Sequence, residues 1–165
     1  MLPLIRSRRS IRKFTARGID DELVEQIIEA GTWAPSGLNN QPWKVAIIKD
    51  PGTRKTIAPL TRYAPIIEGA PVLIALFLDT ASSYDRTKDI QAMGAFIQNM
   101  LLAIHASGLG GVWLGEILKN KDAVSQIVQA PDTLELMAIV ALGYPAEEGG
   151  RAYRKGVKEV IFFRG

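Results

Sequence analysis

"DIQAMGAFIQNMLLAIHAS", residues 89–107, decides how the rest of the sequence is read. Ile90, Met93, Phe96, Ile97, Met100, Leu101 and Ile104 recur at three- and four-residue steps, the spacing of one face of an α-helix. Ala92, Ala95, Leu102 and Ala103 carry apolar character round the other side. A helix apolar on nearly all sides is expected to be buried, either at the centre of a domain or in an interface between subunits. Gln98, Asn99 and His105 interrupt the run, so it is too short and too polar to span a membrane.

Outward from this helix, apolar runs are separated by turn signals. "WKVAII" (43–48), "PVLIALFLD" (71–79) and "LELMAIVALG" (134–143) have the length and composition of strands. The second is apolar throughout and is expected to be buried on both faces. "VKEVIFF" (157–163) reads as a last strand. Ile19 to Gly31 reads as a helix, with Asp20 as N-cap, Ile19 and Val24 as a hydrophobic staple, and Gly31 placed to end it. Asp50-Pro51-Gly52 reads as a turn before a short helix around Arg54–Leu60, and "SSYDRTKD" (82–89) as a polar connection. Asn120 is placed to cap another helix, with Val124, Ile127 and Val128 inward. These elements do not follow the β-α-β alternation of a doubly wound sheet. The expected architecture is a single α+β domain over 1–165, a central sheet with helices packed around one long buried helix.

The composition agrees with one compact domain: 165 residues, 47% hydrophobic and 22% charged. The absence of cysteine excludes disulfides, thiolate catalysis and Cys-ligated zinc, and fits a reducing cytoplasm. With one histidine, His105, no histidine-based metal site is expected within one chain. No serine stands in a G-x-S-x-G setting, as a hydrolase of that type would need. No apolar signal-peptide core opens the chain, so a cytoplasmic location with no membrane partner is expected. Charge is unevenly spread. Residues 1–17 hold six positive side chains and no acid, and residues 151–165 hold five against Glu159, so basic ends bracket an acidic middle. If the ends meet in space, they make one anion-binding patch.

Three segments carry possible chemistry. "SRRSIRKF" (7–14) offers guanidinium forks and a hydroxyl matched to phosphate oxygens, but the same residues also suit a solvated arm or a nucleic-acid contact. "APSGLNNQPW" (34–43) supplies amides and hydroxyls that can pair with a ring edge, between flat Pro and Trp walls. Its bland reading is a proline-braced connection with its tryptophans in the core. "GGVWLGE" (110–116) has glycines where backbone can run close to a ligand atom. Neither the P-loop nor the Rossmann signature is present.

Together and in this order, "RRSIRKF", "APSGLNNQPW", the long helix running into "GLGGVWLG", and "ALGYP" before a basic end resemble the nitroreductase family over almost the whole chain. The resemblance implies a nitroreductase-like fold with a mostly antiparallel sheet, and a homodimer with FMN held at the subunit interface beside the long helix. It implies that Arg8, Arg9 and Ser10 hold the FMN phosphate and ribityl chain, and that Arg12 approaches the pyrimidine edge. Pro35, Ser36, Gly37 and Asn39, with Gln41 in the same motif, match the loop contributed by the other subunit. Leu114, Gly115 and Glu116 match the strand end near the reactive side of the flavin, and Arg154 and Lys155 fall near the basic residues that close over the phosphate. Gly37 departs from the family pattern, where a second serine is common, and Gly156 replaces a frequent proline. The implied activity is ping-pong transfer of hydride from NAD(P)H to flavin N5 and of electrons to a nitroaromatic, quinone or similar acceptor. FMN carries this chemistry, so no side chain is assigned as acid or nucleophile, and Arg12 stabilises negative charge on the reduced flavin. A flavin carrier or sensor with little turnover is the alternative. A nucleic-acid partner is not expected, because it leaves the Asn-rich loop unexplained. Tyr63 and Tyr84, in the short connecting segments, are candidate substrate contacts.

Overall fold

The computed structural model describes residues 1–165. Four strands, β1 (Trp43–Ile48), β2 (Val72–Asp79), β3 (Gly110–Leu114) and β4 (Leu134–Gly143), form one sheet in the order β1-β2-β4-β3. Every neighbouring pair is antiparallel, with Ala46 opposite Ala75, Ala75 opposite Ile139, and Val112 opposite Ala141. The helices are α1 (Leu2–Ser7), α2 (Asp21–Thr32), α3 (Pro51–Ile57), α4 (Ala64–Gly69), α5 (Arg86–Ala106), α6 (Lys121–Ile127) and α7 (Val157–Val160). No helix is long and apolar enough to cross a membrane.

The sheet is the middle layer of three. Val72, Ile74, Leu76 and Leu78 of β2 pack with Val24 and Ile27 of α2 and with Met93, Phe96, Ile97 and Met100 of α5. Leu73, Ala75 and Phe77 face the other way, against Ile57, Ile67, Ile117 and Val124. With apolar layers on both faces, β2 carries no polar side chain before Asp79 at its end, which is why it reads as an apolar run. Within the first layer the Trp43 and Phe96 rings pack with centroids 5.1 Å apart.

The structure corrects several sequence expectations. Gly31 does not end α2, which runs on to Thr32. A Cβ at Gly31 would stand 2.9 Å from atoms of Phe96 and Met100, so the missing side chain is what lets α2 pack this closely on α5. The Asp50-Pro51-Gly52 turn is the start of α3, where the Asp50 carboxylate accepts from the Thr53 amide at 2.6 Å. Asn120 stands at the N-cap of α6, but its side-chain amide donates to the Leu60 carbonyl at 2.6 Å instead of capping.

The long helix begins at Arg86, earlier than expected, with Asp85 capping it. It is buried on one side only, since Ile90, Gln91 and Gln98 are exposed in the single chain. The expected strand over 157–163 is a turn of helix, α7, followed by irregular chain, and all of it is exposed. A strand needs an open edge to pair with. The β3 edge is bridged by Ser10, parallel to Gly111, and the tail pairs with no strand of the single chain.

That bridge places the basic N-terminal segment. The Ile11 amide donates to the Gly111 carbonyl at 3.1 Å, the Thr15 amide to Tyr144 at 2.9 Å, and the Ala146 amide to Lys13 at 2.9 Å. A Cβ at Gly110 would fall 2.6 Å from the Ile11 Cβ, so this close approach also requires a glycine.

Two outcomes are expected. Gly31→Ala forces Phe96 and Met100 aside and lowers the unfolding free energy by roughly 1–3 kcal/mol, read by denaturant titration. Glu135 of β4 accepts from Arg86 at 2.5 and 3.1 Å and from Lys121 at 2.8 Å. Arg86 foremost, then Lys121, hold its carboxyl down to about 2, against 4.5 when unperturbed. A depressed acid stabilises fully above its unfolded value and loses that contribution as pH falls through its folded value. The Tm gap between wild type and Glu135→Gln is therefore widest at neutral pH and closes as pH falls from about 4.5 to 2.

Candidate functional site

The two basic ends of the sequence meet. Arg8, Arg9, Ser10, Arg12, Arg151 and Arg154, with Tyr153, line a cleft of about 230 Å³. None of the five arginines takes part in an ion pair within the chain. Desolvation first, then Arg154 and Arg9, push the Arg8 guanidinium below its ordinary value. So much uncompensated like charge in one cleft calls for an anion, and a phosphate's oxygens suit both the guanidinium forks and the Ser10 hydroxyl. Backbone geometry holds the cleft in shape. Arg9 donates to the Arg6 and Arg8 carbonyls at 2.6 and 2.9 Å, and the Arg12 amide donates to the Glu147 carboxylate at 2.9 Å. A Cγ–Cβ distance of 2.6 Å would separate Arg9 from a side chain at 149, so Gly149 admits the arginine segment. Lys155 is exposed and is not among the lining residues.

The second element is the loop 35–41. Leu38, Asn39 and Gln41 all have left-handed backbone, with φ of 54°, 55° and 48°. For Leu38 this conformation is strained, and its side chain is nevertheless 85% exposed. Ser36 holds the turn together, its carbonyl accepting from the Asn39 amide at 3.1 Å and its hydroxyl from the Gln41 amide at 3.0 Å. Asn40 fastens the loop to the body by donating to Asp89 at 2.8 Å and to the Ser82 carbonyl at 3.1 Å.

Asp89 lies in the first turn of α5, is fully buried, and has no cationic partner. Burial alone would raise its pKa. The Ser83 hydroxyl at 2.6 Å, the Asn40 amide, and the Tyr84 and Asp85 backbone amides at 3.1 and 3.2 Å outweigh that and hold it below the ordinary value. It is thus a buried carboxylate solvated entirely by hydrogen bonds. Asp89, Asn40 and Tyr153 are not marked out by any motif of the sequence, whereas Arg151 belongs to the basic C-terminal cluster. An aspartate in a helix's first turn looks like a dipole partner, and nothing local says that it is buried.

The third element is the end of β3. Leu114 is buried, and Gly115 leaves the backbone open, since a Cβ there would meet only Trp113 Nε1 at 3.9 Å. The Glu116 carboxylate turns away to Lys119 at 2.5 Å, the Thr61 hydroxyl at 2.6 Å and the Arg62 amide at 3.2 Å. Lys119 foremost, then Thr61, lower it to about 2, so it stays ionised at neutral pH and cannot donate a proton there. Tyr63 belongs to the same corner, with Arg62 over its ring. Tyr84 lies instead beside the loop 35–41, in a cleft with Pro35, Ser36, Gly37, Lys88 and Gln91.

The arginine cleft and the loop cleft share no lining residue. They are tied to opposite ends of α5, the loop through Asp89, and the arginine segment through Ser7, whose hydroxyl lies 2.8 Å from His105 Nε2.

The Nitroreductase family model matches residues 5–62 and 53–144. A protein of Archaeoglobus fulgidus described as a candidate NADH dehydrogenase/NAD(P)H nitroreductase is 32% identical over 89% of this chain and 86% of its own length. Among solved structures, a candidate nitroreductase of Desulfovibrio desulfuricans in complex with FMN superposes with a TM-score of 0.94 at 43% identity, covering 99% of this chain and 96% of that one. The NADPH:FMN oxidoreductase of Vibrio harveyi complexed with NAD+ superposes with a TM-score of 0.90 at 25% identity, over 99% and 76%. With its motifs, its antiparallel sheet and its long helix in the same order, this chain belongs to the nitroreductase family.

Proposed function

We propose that the protein is an FMN-dependent oxidoreductase that draws on NAD(P)H and works as a homodimer with each flavin between subunits. The observation that carries this reading is the arginine cleft, five guanidinium groups with no carboxylate partner, sized and charged for a phosphate of about two negative charges. The relatives named for FMN and NAD(P)H chemistry support it from the other side.

When bound, FMN supplies the redox chemistry, accepting hydride from NAD(P)H and passing electrons to a nitroaromatic, quinone or similar acceptor. The chain's own residues bind and orient. Arg8, Arg9, Ser10 and Arg154 hold the phosphate end, with Arg151 and Lys155 adding positive potential. Arg12, lining the same cleft, would place positive charge near the bound flavin and favour negative charge on it. Pro35, Ser36, Gly37, Asn39 and Gln41 of the partner's identical loop close the other side. Leu114, Gly115 and Glu116 contribute backbone at the reactive face. Reductant and acceptor use the same pocket in turn, which is the ping-pong order.

The length of α5 supports a site made from two chains. Asp89 and His105 are sixteen residues apart, about 24 Å along a helix at 1.5 Å per residue. The loop and the arginine cleft of one chain are fastened near these two ends. Two such helices packed antiparallel bring the loop of one chain beside the arginines of the other. Ile90 on the open side of α5, exposed Trp33 and Leu38, and the uncovered Val160, Ile161, Phe162 and Phe163 are the apolar surface such a dimer covers.

The test is reconstitution. Protein mixed with FMN and gel-filtered is expected to elute as a dimer with the flavin absorption band, which bleaches anaerobically with NADH or NADPH. Retained colour without bleaching points to a carrier, and no retained colour overturns the proposal. Arg8→Ala removes a charge-assisted contact and weakens FMN binding by roughly ten- to a hundredfold, measured by fluorescence quenching. Asp89→Ala leaves Asn40 and Ser83 without their acceptor. It is expected to cost roughly 1–3 kcal/mol of stability and to weaken FMN binding by loosening the loop.

A further inference from the structure

Gly37 stands where the family commonly has a second serine, and the structure supplies a physical reason. A Cβ at residue 37 would overlap the Tyr84 hydroxyl and come within 2.6 Å of Cε1 and Cζ of its ring. The space a side chain at 37 would fill is occupied by a phenol from another part of the chain. The backbone that carries the phenol is held in register with the loop. The Tyr84 amide donates to the Asp89 carboxylate at 3.1 Å, and the same carboxylate accepts from Asn40 of the loop at 2.8 Å. The loop and the backbone of residue 84 are thus fastened to one buried group.

The Tyr84 hydroxyl has no hydrogen-bond partner in the chain, although its backbone amide does. Lys88 Nζ stands 5.1 Å from the ring centroid. With Pro35, Ser36, Gln91 and Ala92, these two residues line a cleft of about 300 Å³. Pro35, Ala92 and Ala95 are its apolar lining, and its polar side chains are Ser36, Tyr84, Lys88 and Gln91. That arrangement suits a planar ring bearing an oxygen acceptor, with the hydroxyl donating and the ammonium adding positive charge.

From this we infer that Tyr84 is a specificity-determining residue for the electron acceptor. Its hydroxyl stands in for the missing side chain at 37 and donates to a nitro, carbonyl or carboxylate oxygen on a ring bound beside the loop. The inference rests on the flavin reading of that loop. It makes ring-borne oxygen the feature selected, so acceptors that take electrons without entering the cleft are indifferent to residue 84.

The test compares wild type with Tyr84→Phe, which keeps the ring and its packing and removes only the hydroxyl. Oxidised, FMN-loaded protein is titrated with 4-nitrobenzoate in the absence of NAD(P)H, following the flavin spectrum. The Kd for 4-nitrobenzoate is expected to rise roughly three- to tenfold, the effect of one lost neutral hydrogen bond. The Tm and the FMN affinity of the apoprotein are expected to stay unchanged. In turnover, kcat/KM for nitroaromatics falls by the same factor while ferricyanide reduction is unaltered. Gly37→Ser combined with Tyr84→Ala returns a hydroxyl to the loop and recovers 4-nitrobenzoate binding. Gly37→Ser alone, whose Cβ would overlap the phenol, is expected to weaken 4-nitrobenzoate binding.

Tyr84→Phe protein that binds both FMN and 4-nitrobenzoate like wild type overturns the inference and leaves the flavin reading standing. A loss of FMN affinity in its place assigns the hydroxyl to the cofactor and also overturns the acceptor role. Wild-type protein that retains no FMN overturns the functional reading itself, and this inference with it.

Discussion

Helix α5 is the constraint from which the rest of the structure follows. Its buried side, Met93, Phe96, Ile97 and Met100, lies on the even-numbered side chains of β2 and forces α2 to give up a side chain at Gly31. Its first turn sinks Asp89 out of solvent, and its last turn sets His105 against Ser7 of α1. The same helix therefore packs the core, anchors the Asn-rich loop and positions the entry to the arginine segment. Changing its register would disturb all three together, because a close-packed interior transmits displacement instead of absorbing it.

Electrostatic demands at the two ends differ in kind. Asp89 is a charge already answered, surrounded by hydroxyl, amide and backbone donors that bring it below its ordinary pKa despite burial. The arginine cleft is a charge left open, with no carboxylate within ion-pair distance of its five guanidinium groups. Glu116 illustrates the difference. It lies in the motif at the end of β3, yet Lys119 and Thr61 have already claimed its carboxylate. A satisfied network sets geometry, and an unsatisfied one is open to an anion.

Backbone strain follows the same division. Leu38, Asn39 and Gln41 are held left-handed within four positions, and Asn40 between them carries the bond to Asp89. The anchored residue takes helical backbone while its neighbours absorb the strain. Elsewhere the chain is nearly free of such backbone, with Gln129 the one other non-glycine example.

Periodicity and composition determined much of this protein from its sequence alone. The extents of β1 and β4, the long helix, the α+β class and the segments that line the two clefts were all legible, because apolar spacing and turn residues act over a few neighbours. The basic clusters at both ends were legible as well, and so was their need for an anion if they met. That they do meet, through Ser10 on Gly111 and Lys13 on Ala146, was decided only by long-range pairing that no local pattern encodes. The same holds for the buried Asp89, for the phenol of Tyr84 filling the place of a side chain at Gly37, and for Gly31 as a packing residue in place of a cap. The segment 157–163 marks the boundary most sharply. Its apolar, β-prone residues read as a strand, but a strand exists only with a neighbour to pair with, and within the single chain these residues pair with none.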